Sequence, residues 1–176
     1  MRKTVTLLSF VAVGLTAGAV LLAQGQKRVS PHETVTEVFG GKKISIEYGR
    51  PYKKGREIFG GLVPFGKVWR TGADEATILT TEADLMVGSI HVPKGSYSLF
   101  TLPDQSSWML ILNKVAKQWG AYKYEETQDL GRTKLEVSQG PEVEQFTISI
   151  SKTNNGKGAI TMKWDKTIAV APIMVH

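Results

Sequence analysis

From residue 34 onward, apolar and polar positions alternate with a period of two, and a helical period is almost absent. That alternation belongs to strands with one face on a core and the other in water. Residues 34–39 predict a first strand, and Gly40-Gly41 turns the chain into a second. There Ile44, Ile46 and Tyr48 share one face, with Ser45 and Glu47 on the other. Strands are also predicted at 68–71, 76–81, 85–87 and 90–92, the last two joined at Gly88-Ser89. Residues 96–102 place Tyr97, Leu99 and Thr101 together, and Trp108, Leu110 and Leu112 face one way after the turn at 103–107. In the last third 134–138 is short, Gly140-Pro141 predicts a turn, and 143–151 aligns Phe146, Ile148 and Ile150. Asn154-Asn155-Gly156 is the strongest hairpin signal, because a type I′ turn needs φ > 0 and these residues tolerate it. Ile160, Met162 and Trp164 then face the core, and 167–175 closes the sheet. Only 114–118 carries the pattern of a helical turn. About nine or ten short strands at this spacing predict an all-β fold: a single antiparallel β-sandwich, jelly-roll-like.

Two stretches depart from the alternation. Residues 1–23 read as an export signal: Arg2 and Lys3 precede an uncharged apolar run that ends at the small Ala23, before the polar Gln24-Gly25-Gln26. An uncleaved anchor is the alternative, since about 20 apolar residues span a bilayer. The expected organisation is a signal peptide at 1–23, a polar leader at 24–33 and one β-sandwich domain at 34–176, exported to the periplasm or secreted, with no stable membrane anchor after cleavage. The second departure is residues 49–67, where Gly49, Pro51, Gly55, Gly60, Gly61, Pro64 and Gly66 break the rhythm. A connection this long is usually functional or disordered. Its Ile58, Phe59, Leu62, Val63 and Phe65 predict that it packs on the body.

The 176-residue chain is long enough to bury a core without covalent staples. It has no cysteine, which excludes disulfides, thiolate metal sites, a cysteine nucleophile and a lipoprotein anchor. Cleavage after residue 23 would remove two of the 22 basic residues and none of the 16 acidic ones, leaving a net charge of +4. Arg50, Lys53, Lys54, Arg56 and Lys67 against Glu57 give residues 49–67 that same +4, so the basic character is local. A nucleic-acid binder would spread it, and none is expected as a partner.

Motifs fall in order along the chain: Tyr48-Gly49-Arg50-Pro51, Lys54-Gly55-Arg56, Ile58-Phe59-Gly60, Trp69-Arg70-Thr71-Gly72-Ala73 and Glu75-Ala76-Thr77. They continue with Gly95-Ser96-Tyr97-Ser98-Leu99-Phe100, Pro103, Trp108, Asn113 and Trp119-Gly120. Over residues 34–151 this resembles the bacterial family catalogued as domain of unknown function 2911, found in exported proteins. The resemblance implies an all-β exported domain and supplies no activity. Where the family pattern usually carries Asn after Gly-Ala, this chain has Asp74.

Few residues point to chemistry. Gly61 to Lys67 has the spacing of a phosphate-binding loop, but Val68 replaces the Ser/Thr and a strand is predicted in place of the helix. His32, His91 and His176 have no metal-ligand spacing, and neither a metal site nor a cofactor is expected. Asp74-Glu75 is the carboxylate pair next to the basic loop. Extended neighbours point to opposite faces, so the two are not expected to flank one bond, and one is expected to pair with Arg70, Arg56 or Arg50. Trp119, Tyr122 and Tyr52 are candidates to stack on a sugar ring, against core filling for the other aromatics. The site predicted from these residues comprises Arg50, Lys54, Arg56, Arg70, Asp74, Glu75, Trp119 and Tyr122, with Arg70 and Glu75 structural and Arg50 and Arg56 facing a small-molecule or glycan ligand. The expected function is a non-catalytic binding module for an anionic or sugar-like ligand. The alternatives are a hydrolase-type enzyme using Glu75 or Asp74 beside Arg70, and a structural envelope protein.

Overall fold

The computed structural model describes residues 28–175; the signal-peptide reading of 1–23 lies outside them. Nine strands form one open antiparallel sheet in the order β1-β2-β3-β6-β7-β8-β9-β4-β5. They are β1 (His32–Phe39), β2 (Lys42–Gly49), β3 (Thr77–Thr81), β4 (Leu85–Val87), β5 (Ile90–Val92), β6 (Gly95–Leu102), β7 (Trp108–Asn113), β8 (Asp129–Lys152) and β9 (Lys157–Val175). The all-β expectation holds, and the arrangement is compatible with a sandwich. No described helix is long and apolar enough to cross a membrane.

Three hairpins stand where the sequence placed them. Gly40 (φ 56°) and Gly41 (φ 82°) both adopt the left-handed conformation between the paired Phe39 and Lys42. Such a two-residue turn matches the strand twist and favours residues that accept φ > 0. Asn155 (φ 62°) and Gly156 (φ 71°) are also left-handed, but in a longer connection between β8 and β9 that the Thr153 amide closes onto the Lys157 carbonyl (2.8 Å), and Gly88 turns β4 into β5.

The strands are not all short. The turn predicted at Gly140-Pro141 is instead an irregularity inside the 24-residue β8, whose register to β9 shifts between Gln139 and Val143. Pro141 has no N–H to give the ladder, so the strand bulges there and continues. The first part of β8 pairs with β7 and the rest with β9. The later part also lies against β2: the Tyr48 hydroxyl accepts from the Ile148 amide (2.9 Å), and the Tyr48 ring meets Phe146 edge-on at 5.7 Å. One core therefore joins Ile44, Ile46, Leu79, Leu99 and Leu110 from one end of the sheet to Phe146, Ile148, Ile160, Met162 and Trp164 from the other.

Two local expectations fail. Residues 68–71 form no strand beyond a bridge of Trp69 to Thr101, because Thr71 turns left-handed (φ 55°) immediately afterwards. Residues 114–118 form no helical turn, and a single 3-10 turn at Glu126–Gln128 is the helical structure among the described residues. The glycine-rich connection after β2 is ordered as predicted. It buries Ile58 and Val63, and Phe59 packs edge-on to Trp108 with ring centroids 4.6 Å apart.

Candidate functional site

The segment between Trp69 and Glu75 organises the site, and its backbone is unusual. Thr71 is buried and β-branched, yet left-handed, a conformation that costs energy and persists only where the surroundings hold it. Its hydroxyl pairs with Thr101 Oγ1 (3.1 Å), and its carbonyl accepts from Thr77 Oγ1 (2.6 Å). Ala73 packs so closely on β2 that a Cβ at Gly49 would run into the Ala73 carbonyl. Asp74 is also left-handed (φ 63°).

That conformation overturns the expectation that Asp74 and Glu75 point apart. Both carboxylates converge on His32, with Nε2 3.4 Å from Asp74 Oδ2 and 3.3 Å from Glu75 Oε2. The expected partners Arg70, Arg56 and Arg50 do not form the clamp. Arg28 does, donating to Glu75 Oε1 at 2.8 Å, while the Ser30 amide reaches Asp74 Oδ2 at 3.3 Å. Residues 28–31 and His32 at the start of β1 thus lie as a strap over the carboxylate pair, a role that a polar stretch ahead of the strand predicted at 34–39 does not reveal in sequence.

Burial alone would push the Glu75 carboxyl up. The hydrogen bonds from Arg28, a backbone amide and the Arg28 charge outweigh it and hold the group below the usual carboxylate range. A lowered folded value means that Glu75 contributes its stability in full above the ordinary 4.5 and loses it as the pH falls through the lower folded value. Acid titration of stability, followed by circular dichroism, should therefore show a shallower acid limb in Glu75→Gln than in the wild type. An unchanged limb would mean the pair contributes nothing to folding.

Lys54, Arg56, Arg70 and Asp74 line one cavity of about 480 Å³, together with Tyr52, Trp69 and Trp164. Arg56 donates to the carbonyls of Lys53 (2.9 Å) and Tyr52 (2.5 Å), which leaves most of its five N–H donors for other partners. Among the described residues nothing accepts from the buried Arg70 Nε. Glu75 and Trp119 line a neighbouring cavity of about 450 Å³, and Trp119 and Tyr122 line a third of about 640 Å³. The predicted basic and aromatic groups are therefore divided between cavities.

Arg50 lines none of the three. Its guanidinium bonds Glu33 Oε2 (2.6 Å), the Phe146 carbonyl (3.1 Å) and Thr147 Oγ1 (2.9 Å), tying β1 to β8. In thermal or urea unfolding Arg50→Ala should cost about 2 kcal/mol, since it removes the charged partner of Glu33, whose Oε2 keeps only the Tyr48 hydroxyl at 3.3 Å, and the side-chain donor to the Phe146 carbonyl. Arg56→Ala should cost under about 1 kcal/mol. The reverse order would place Arg56 in the framework and Arg50 outside it.

A family model described as "Protein of unknown function (DUF2911)" matches residues 30–173, nearly the whole described chain. No curated protein and no solved structure matches.

Proposed function

The chain belongs to the DUF2911 family of proteins of unknown function, and from that premise we propose that it is an exported, non-catalytic binding protein for a small anionic ligand. The observation that carries the reading is Arg70. Its Nε is buried without an acceptor among the described residues, in the wall of a cavity that also presents Lys54 and Arg56. An unpartnered buried guanidinium N–H is costly, and a carboxylate or phosphate oxygen supplies the acceptor with matching charge and planar geometry. Trp69 and Trp164 give the same cavity an apolar wall, as small-molecule sites require. Glu75, held ionised by Arg28, suits an ion-pair partner better than a general acid at neutral pH. Export rests on the charged start and apolar run of residues 1–23.

Calorimetric titration of the purified protein with inorganic phosphate and with citrate tests the reading. Saturable binding is expected that weakens as salt rises, and Arg70→Ala should reduce it by about tenfold or more. Absence of binding for both anions, or undiminished binding by Arg70→Ala, would remove the proposed site.

A further inference from the structure

We infer that the surface formed by Gln118, Trp119 and Tyr122 is a separate binding site for a neutral sugar ring. The three residues follow one another on the connection after β7, and two left-handed positions, Lys117 (φ 63°) and Gly120 (φ 64°), shape it. Trp119 bridges to Glu75, and the Gly120 amide donates to the Asp74 carbonyl at 2.9 Å, so the connection is anchored to the carboxylate segment. The Tyr122 ring lies against Gly120: a Cβ there would sit 2.8 Å from Tyr122 Cε2. Tyr122 as a residue is nonetheless 85% exposed, an aromatic side chain at the surface beside the half-buried Trp119.

Gln118 sets the ligand chemistry. It is only 7% exposed, and it lines both the 450 Å³ and the 640 Å³ cavities. Its Nε2 donates to the Val115 carbonyl (2.8 Å) and to Asn113 Oδ1 (3.3 Å), while its buried Oε1 finds no donor among the described residues. Rotating the amide would set oxygen against those two oxygens, so the orientation is fixed by its partners. The unmet need is therefore for a donor. An ionised carboxylate has none to give, and a phosphate anion, though it can carry a P–OH, finds no guanidinium among the described residues lining the larger cavity to match its charge, which separates this site from the basic one. A cation would meet two like charges, Lys117 and Lys123, against the single carboxylate of Glu125 in the lining of the larger cavity. A hydroxyl satisfies the acceptor without charge, and an aliphatic ring carrying hydroxyls offers C–H faces to Trp119 and Tyr122. A cavity of about 640 Å³ falls in the range of small-molecule sites.

The test is two-dimensional NMR of the labelled protein titrated with maltose, cellobiose and diacetylchitobiose. At least one should produce saturable shifts centred on the Gln118 side-chain amide and the Trp119 indole, insensitive to added salt. Tyr122→Ala, at an exposed position, should weaken that binding by about tenfold, Tyr122→Phe should retain it, and Arg70→Ala should leave it unchanged. No saturable shift with any of the three sugars would overturn the site, as would binding undiminished in Tyr122→Ala. Loss of sugar binding in Arg70→Ala would place the sugar in the basic cavity instead. Because phosphate binding is read separately, failure here leaves the anion reading standing, and the reverse also holds.

Discussion

Trp164→Ala is expected to cost about 3–5 kcal/mol of folding free energy, the range for truncating a large buried aromatic. Trp164 is buried and stacks on Trp69, with ring centroids 5.8 Å apart and planes 18° from parallel. Phe146 packs against it at 5.8 Å and Phe59 at 6.2 Å, and its indole N–H reaches the Glu144 carbonyl at 3.3 Å. Removing the ring opens a void between the connection after β2 and the two long strands, and leaves that carbonyl without its side-chain donor. Trp164 also forms part of the wall of the basic cavity. The folded fraction of the variant should therefore bind phosphate more weakly as well as unfold at lower urea. A loss below about 1 kcal/mol would mean that the aromatic cluster relaxes into the space and is not the keystone of the core.

Asp129→Ala is the second large effect, at about 2–3 kcal/mol after allowance for the partial exposure of Arg132. One carboxylate accepts from Asn113 Nδ2 (2.9 Å), the Tyr124 hydroxyl (2.7 Å) and Arg132 Nε (2.9 Å). These contacts hold the ends of the connection that carries Gln118, Trp119 and Tyr122. Burial, followed by the hydrogen bond to Asp129 and its charge, pushes the Tyr124 hydroxyl up to about 12, against the opposing pull of Arg132. The raised value means that Tyr124 contributes stability below pH 10, and that this contribution is lost as the pH rises from 10 through about 12. Asp129→Ala should lower the Tyr124 pKa in an ultraviolet titration as well as lower the denaturation midpoint. A stable variant with an unshifted tyrosine would show that Arg132 and Asn113 hold the connection without the carboxylate.

The hairpins at Gly40-Gly41, Gly88-Ser89 and Asn155-Gly156 were legible because a turn conformation is a property of adjacent residues. The core faces of β2, β6 and β7 were legible for a similar reason, since the pleat alone sends alternate side chains to one side. Motif order was sufficient to identify the family. Of the site, the basic group Lys54, Arg56 and Arg70 was found by its charge and does converge on one cavity. Arg28, His32 and Gln118 were missed as parts of a site. The first two stand in or next to a polar leader, and nothing local distinguishes Gln118 from a polar residue in water.

The sequence by itself therefore determined the all-β class, the hairpin positions, the ordered glycine-rich connection and the family, because alternation, turn chemistry and motif order act over a few residues at a time. Only the tertiary structure decided the partners. Arg50 meets Thr147 across 97 positions of chain, and Arg28 meets Glu75 across 47. A left-handed Asp74 turned two carboxylates predicted to diverge onto one imidazole. Pro141 became a bulge in place of a turn because the strand beyond it still had β9 to pair with. The division of basic and aromatic residues between cavities has the same origin: composition records which groups are present, but packing around a shared core decides which side of a segment each one reaches.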